Sequence, residues 1–189
     1  MVEAVLSTNA LTRRFGGVTA VDRVSIELRL GEVHALIGTN GAGKSTLIDM
    51  LSGELPASSG RVALDGRDIG TWPQPKRARA GIGRSYQRTT IFAEFSVLEN
   101  CRLAAQARAP RAWRIWEPAA RDAEGIAVAQ RALAAAGLDG DPKRVAATLS
   151  HGAKRQLEIA MCLATEPRVL LLDEPLAGMG AEETDRMLE

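Results

Sequence analysis

The nine residues Gly38-Thr39-Asn40-Gly41-Ala42-Gly43-Lys44-Ser45-Thr46 carry the clearest chemistry in the chain. Gly38, Gly41 and Gly43 let main-chain N–H groups close around phosphate oxygens in conformations that a side chain forbids. Lys44 brings a flexible cation suited to β- and γ-phosphates, and Ser45 offers a hydroxyl to the magnesium that accompanies a nucleotide. A helix opening near Gly43 would point its positive end at the same place. A mere turn would also accept these glycines, so the flanking elements decide. The apolar run Val33-His34-Ala35-Leu36-Ile37 predicts a strand before the loop, while Leu47, Ile48 and Leu51 predict a helix after it, stopped by Gly53 and Pro56.

A second chemical group lies near the end of the chain, where Val169-Leu170-Leu171-Leu172 runs directly into Asp173-Glu174-Pro175. The continuous apolar run predicts a fully buried parallel strand. Acids at its tip either open a helix, which Pro175 permits, or serve a ligand at the carboxyl ends of the strands, where the phosphate loop also lies. The second reading is preferred, with Asp173 holding magnesium through water and Glu174 polarising the attacking water.

Between these groups stands Leu149-Ser150-His151-Gly152, ahead of a helix whose buried spacing is Leu157, Ala160, Met161 and Ala164. Ser150 can cap that helix, which presents another N-terminus. His151 lacks an accompanying nucleophile and reads as a loop residue rather than a catalytic base.

The elements that must position these groups begin with a β-rich layer. Val24, Ile26, Leu28 and Leu30 alternate with Ser25, Glu27 and Arg29, the period of a strand with one buried face. Ala4 to Leu11 predicts a further strand, and Arg61-Val62-Ala63-Leu64 predicts another that enters a tight turn at Asp65-Gly66. Arg13-Arg14-Phe15-Gly16-Gly17 reads as a polar bend whose one aromatic serves either as a nucleobase platform or as core packing. After Thr71-Trp72-Pro73-Gln74-Pro75 comes Arg-rich helical sequence and then Gly81 to Gln87. Ser96 to Gly137 is helical and alanine-rich, interrupted between Ala109 and Pro118. Trp113 and Trp116 in that interruption either dock a partner or pin the loop to the core, and the second is preferred.

Length and composition agree with this. The 189 residues suffice for one sizeable core, and an aliphatic-rich, aromatic-poor chain (4% Phe, Trp and Tyr) suits an α/β protein. A net charge of +1 gives no general electrostatic reason to bind nucleic acid. Cys101 and Cys162 show neither metal-ligand spacing nor a disulfide framework and read as buried thiols of a reducing compartment. The N-terminus lacks the pattern of a signal peptide, and nowhere do about 18 apolar residues run together, so a cytoplasmic chain is expected.

The phosphate loop, the Leu-Ser-x-Gly segment and the Leu-Leu-Leu-Asp-Glu-Pro segment, in that order and separation, resemble the ATP-binding-cassette (ABC) ATPases over the whole chain. The resemblance implies an α/β fold: a P-loop NTPase core with an N-terminal antiparallel β layer and an inserted α-helical subdomain. Residues 1–87 and 150–189 would form the core and 88–149 the helical subdomain, all within one nucleotide-binding domain. By the same resemblance ATP and Mg2+ are the cofactors. Phe15 resembles the aromatic that stacks on adenine, and Gln87 the glutamine that senses magnesium. Gly38, Asn40, Gly41, Gly43, Lys44, Ser45 and Thr46 bind the nucleotide, and Glu174 with Lys44 carries hydrolysis. Leu149, Ser150 and Gly152 would close on the γ-phosphate held by Lys44 of a second subunit, in a head-to-tail dimer of identical or paralogous chains.

The wording is most similar to importers of branched-chain or hydrophobic amino acids, as in Arg14-Phe15-Gly16-Gly17-Val18, Gln156-Leu157-Glu158-Ile159-Ala160 and Leu176-Ala177-Gly178-Met179-Gly180. That implies transmembrane permease subunits docked on the helical subdomain, a substrate-binding protein acting indirectly, and a site at the inner face of the cell membrane. Three departures stand out. Ala153 and Gly180 occupy positions that are commonly polar in the family. The strand bearing the family's γ-phosphate histidine is not reached by Glu189, so a C-terminally truncated cassette is expected. A soluble ABC ATPase that remodels ribosomes or DNA, and a nucleotide-binding fragment without turnover, are the rival readings; neither heptads nor a basic patch supports the first.

Overall fold

The computed structural model describes residues 4–86, 90–108, 122–138 and 140–173. The chain divides into two compact units, Met1–Ile82 and Gly83–Glu189.

The first unit is organised on one long strand. β1 (Leu6–Phe15) pairs antiparallel with β2 (Val18–Val24), β3 (Glu27–Leu28) and β4 (Ser59–Leu64), and β4 pairs with β5 (Arg67–Asp68). This is the antiparallel layer anticipated from alternation. Val24, Ile26 and Leu28 are half-buried while Ser25, Glu27 and Arg29 are exposed, as a period of two requires. The strand is nevertheless divided, because the ladder breaks after Val24 and the Thr8 hydroxyl takes over, accepting from Ile26 N at 3.0 Å and donating to Val24 O at 3.0 Å. Leu30 lies beyond the ladder and is exposed. The predicted bend at Arg13–Gly17 is shorter than expected: β1 continues through Phe15, which pairs with Val18, so only Gly16-Gly17 turns.

The Asp65-Gly66 turn forms as expected, with φ of 48° and 72°, the left-handed pair that a two-residue hairpin loop demands. α1 (Lys44–Ser52) buries Leu47, Ile48, Met50 and Leu51 and ends on Gly53 at φ 85°, whose N–H, like that of Glu54, donates to Asp49 O. α2 (Gln74–Arg79) accounts for the Arg-rich segment.

One expectation fails here. Val33 to Ile37 forms no strand; Val33 and Ile37 are 96% and 93% exposed. Apolar, β-prone residues make a strand only where a neighbouring backbone completes the ladder, and among the described residues none pairs with this run.

In the second unit β6 (Ile82–Arg84) and β7 (Val169–Leu171) form a two-stranded sheet. α3 (Val97–Arg108), α4 (Ala123–Ala135) and α5 (His151–Ala164) pack around Val97, Cys101, Ala129, Leu133, Leu157 and Ala160. The alanine-rich composition permits this close approach of helices. Trp113 and Trp116 lie outside the described residues. No helix among the described residues is long and apolar enough to cross a membrane.

Candidate functional site: a phosphate loop and a capped signature helix

The phosphate loop is built by its glycines. Gly43 is the N-cap of α1 at φ 90°, and a Cβ added there would stand 2.2 Å from Ala20 O in β2. Only glycine fits a position that is both left-handed and pressed on a strand. Gly41 is also left-handed, at φ 82°, and Ala42 N donates to Thr39 O at 3.2 Å to close the turn over Asn40. No side chain caps the first turn of α1. Its leading N–H groups have no side-chain partner from a cap, and with the positive end of the helix dipole they would favour an anion there. Lys44 Nζ donates to Gly38 O at 2.8 Å and to Thr39 O at 2.9 Å, which folds the ammonium over the loop. Ser45 is exposed on the first turn, and Thr46, half-buried, follows it.

Phe15 stands at the end of β1 with 46% of its surface exposed, so core packing is not its role. The Arg13 guanidinium lies 4.6 Å from the ring centroid and is tethered by Nη1 to Pro56 O at 2.8 Å. This contact steadies the aromatic plane at the hairpin tip. Phe15 pairs with Val18, and β2 leads from there to Ala20, on which Gly43 rests, so one hairpin supports both the aromatic and the phosphate loop.

In the second unit, Ser150 is the N-cap of α5 and its Oγ accepts from Ala153 N at 3.1 Å. Leu149 and Gly152 are buried, and His151 is exposed on the first turn of the helix. Asp173 follows β7 with 5% exposure, a buried carboxylate at the tip of the strand, but Leu170 and Leu172 are half-buried, so the run is not buried throughout as expected. Gln87, Glu174 and Gly180 lie outside the described residues.

Sequence reading missed a buried ion pair inside α5. Arg155 Nη1 donates to Glu158 Oε2 at 3.0 Å, and the side chains are only 8% and 5% exposed. Opposite charges three residues apart on a helix ordinarily form a surface pair. Nothing in periodicity distinguishes a buried one.

Magnesium beside a nucleotide asks little of the protein, one or two hard oxygen donors with phosphates and water completing the shell. The exposed hydroxyl of Ser45, on the first turn of α1, is a donor of that kind. Among the described residues no cluster of three or more His, Cys, Asp or Glu could hold a metal alone.

Residues 21–177 match the family described as ABC transporter. The chain is 38% identical over 194 residues to the high-affinity branched-chain amino acid transport ATP-binding protein LivG of Salmonella typhimurium, covering 100% of this chain and 76% of that protein. It is 39% identical over 191 residues to the corresponding BraF protein of Pseudomonas aeruginosa, covering 98% and 74%. A crystal structure of the ADP conformation of an ATP-binding cassette of an ABC transporter superposes with a TM-score of 0.81 at 31% identity, over 97% of this chain and 74% of that one. These likenesses run through the phosphate loop and through the capped helix that opens at Ser150. The chain belongs to the ABC transporter family, as an ATP-binding subunit with ATPase activity.

Proposed function

We propose that this ATPase powers the import of branched-chain or other hydrophobic amino acids, working in the cytoplasm at the inner face of the membrane. The observation that carries the nucleotide chemistry is the uncapped N-terminus of α1, with Lys44 Nζ held 2.8 Å and 2.9 Å from the carbonyls of the loop it closes. The cargo is inferred from the names of the relatives above, since an ATPase subunit does not touch what is transported.

In this reading Gly38, Asn40, Gly41, Gly43 and Thr46 enclose the phosphates by main chain and first turn, while Lys44 neutralises the terminal phosphates. Phe15 offers its face to the adenine. Ser45, Gln87 and, through water, Asp173 hold Mg2+, which would screen charge as the γ-phosphate leaves. Glu174 orients the attacking water. Leu149, Ser150 and Gly152 complete the site of a second subunit, identical or paralogous, so that ATP joins two copies and hydrolysis parts them.

Residues 1–87 and 150–189 make up the nucleotide core in this account, and residues 88–149 the subdomain that meets the permease. Phe92 and Phe95 support that contact: they are exposed and their rings stack at 5.6 Å. Aromatic side chains are enriched at protein interfaces relative to the rest of the surface. A substrate-binding protein would act on the permease from the other side.

The test is ATP turnover with the cognate permease in proteoliposomes, with internal leucine-binding protein and leucine or ribose. Leucine-dependent turnover that Lys44→Ala abolishes is expected. Stimulation by ribose alone would overturn the cargo, and undiminished ATP binding by Lys44→Ala would overturn the site.

A further inference from the structure

The buried pair inside α5 reaches well beyond its own helix. Arg155 Nη1 donates to Tyr86 O as well as to Glu158 Oε2, and Nη2 donates to Asp173 O at 2.9 Å. Glu158 Oε1 accepts from Thr90 N at 2.8 Å. Tyr86 and Thr90 bracket residues 87–89 in the chain, and Asp173 immediately precedes Glu174. Two side chains of one helix thus bond the main chain entering and leaving the segment that contains Gln87. They also bond the main chain at the tip of β7. The same helix opens at Ser150, whose hydroxyl caps it only five residues before Arg155.

The chemistry of the two groups suits this task. A guanidinium spreads several donors in a fixed plane, so it can serve a carboxylate and two carbonyls at once, where an ammonium is a compact point charge on a flexible stem. A carboxylate has two oxygens; here Oε2 answers Arg155 and Oε1 answers a main-chain N–H. With side-chain exposures of 8% and 5%, little water is available to substitute for either group. Such a buried pair is poor evidence of stability gained, because desolvation offsets much of the attraction. Its value lies in what it fixes in place.

We infer that Arg155 and Glu158 are positioning residues for ATP hydrolysis, tying the helix that carries Ser150 to the chain on both sides of Gln87 and to Asp173. The inference rests on the roles proposed above for Gln87, Asp173 and Glu174. Neither residue touches nucleotide or metal in this assignment. Displacement of α5 would pull on Tyr86 O, Thr90 N and Asp173 O together, so the helix that opens at Ser150 is coupled to the main chain before and after residues 87–89 and to the tip of β7.

The test uses the full-length protein as Arg155→Lys, Glu158→Gln and the double variant Arg155→Met/Glu158→Leu. ATP affinity in EDTA, the Mg2+ concentration for half-maximal hydrolysis and turnover per folded molecule are measured for each. Affinity in EDTA should stay at the wild-type value, because the phosphate loop needs none of these contacts. Arg155→Lys should raise the Mg2+ requirement or lower turnover by about 10–100-fold, the range for partners that orient metal ligands. The double variant removes both charges together, so it leaves no unpaired ion to unfold the protein. It should show the same defect while KM for ATP holds. Wild-type turnover and Mg2+ requirement in Arg155→Lys and in the double variant would overturn the inference, since a charge or an apolar pack would then suffice. A wild-type protein whose ATP binding ignores Mg2+ would instead overturn the site assignment, and the inference with it.

Discussion

Arg77 Nη1 lies 2.7 Å from the carbonyl oxygen of Met50, so a residue of α2 closes the end of α1. The same nitrogen donates to Leu51 O at 3.0 Å, Nε to Trp72 O at 3.1 Å, and Nη2 to Gly70 O at 3.0 Å. α1 has no basic residue in its own last turn. Arg77 therefore supplies the positive charge that the negative end of the dipole favours, together with donors for carbonyls that no helical N–H reaches. Burial lowers the Arg77 pKa from its ordinary value, with Asp68 opposing the shift.

Replacing Arg77 by leucine should destabilise the first unit by about 2–3 kcal/mol, the scale of hydrogen bonds to a charged group left unmade. Lysine should recover only part of this, since one ammonium cannot reach four carbonyls spread around it. Urea unfolding of the three proteins checks both statements. Equal stability of the lysine variant and the wild type would show that charge alone holds the helix end.

Gly43→Ala should abolish ATP binding while leaving the antiparallel sheet intact. The new methyl would meet Ala20 O at 2.2 Å in a left-handed conformation, so the loop must leave β2. Gly16→Ala is the control: it is left-handed at φ 56°, but its Cβ would meet nothing within 4 Å. It should lose only the roughly 1–2 kcal/mol of a left-handed residue, with binding retained. Fluorescent-nucleotide titration separates the two. Normal affinity in Gly43→Ala would mean that the loop does not need its seat on the strand.

The parts of this chain that were legible in advance are those fixed by local rules. Gly43 and Gly53 at the ends of α1, Ser150 ahead of α5 and Asp65-Gly66 between β4 and β5 are each tied to a backbone geometry within a few residues. Asp173 was legible because an apolar run that ends in an acid has few destinations. What escaped depends on distant partners. Val33 to Ile37 has the composition of a strand, yet pairing is decided by other segments. Arg77 and Arg155 look like any arginine in a helix, and only the carbonyls they reach, up to 69 residues away, show why they are buried. Phe15 reads as part of a bend because the register that extends β1 to it is set by Val18 on the returning strand.

Ser150 holds two possible roles that a single substitution can part. As a cap, its hydroxyl accepts from Ala153 N, and Ser150→Ala should cost about 1 kcal/mol. Aspartate caps as well as serine, so Ser150→Asp should keep the wild-type stability. Across a dimer, however, its carboxylate would meet the γ-phosphate and repel it. ATP-driven dimerisation, followed by light scattering, should therefore fail in Ser150→Asp although the protein remains fully folded. Wild-type dimerisation in that variant would leave Ser150 a cap and nothing more.

The two thiols make a prediction about alkaline stability. Burial pushes Cys101 up to about 12, helped by neighbouring Cys162. Burial likewise pushes Cys162 up to about 11, aided by the Glu158 charge and opposed by Arg155. Cys162 Sγ also donates to Arg84 O at 3.0 Å, a bond that a thiolate cannot make. Both groups ionise more readily in the unfolded chain, near the ordinary value of 9.0. The folded form therefore holds the extra protons between that value and the raised ones. Their contribution to stability is fully present below pH 9 and is lost as pH rises through about 11 to 12. Chemical denaturation midpoints should fall across this window, and less steeply in Cys101→Ala, where one of the two groups is gone. Cys101 is buried as expected but Cys162 is only half-buried, so at neutral pH Cys101 should react with a maleimide only as the fold opens, while Cys162, held protonated by its raised pKa, should react slowly. Rapid labelling of Cys101 in the native Cys162→Ala protein at pH 7, without unfolding, would show that this thiol is neither buried nor raised.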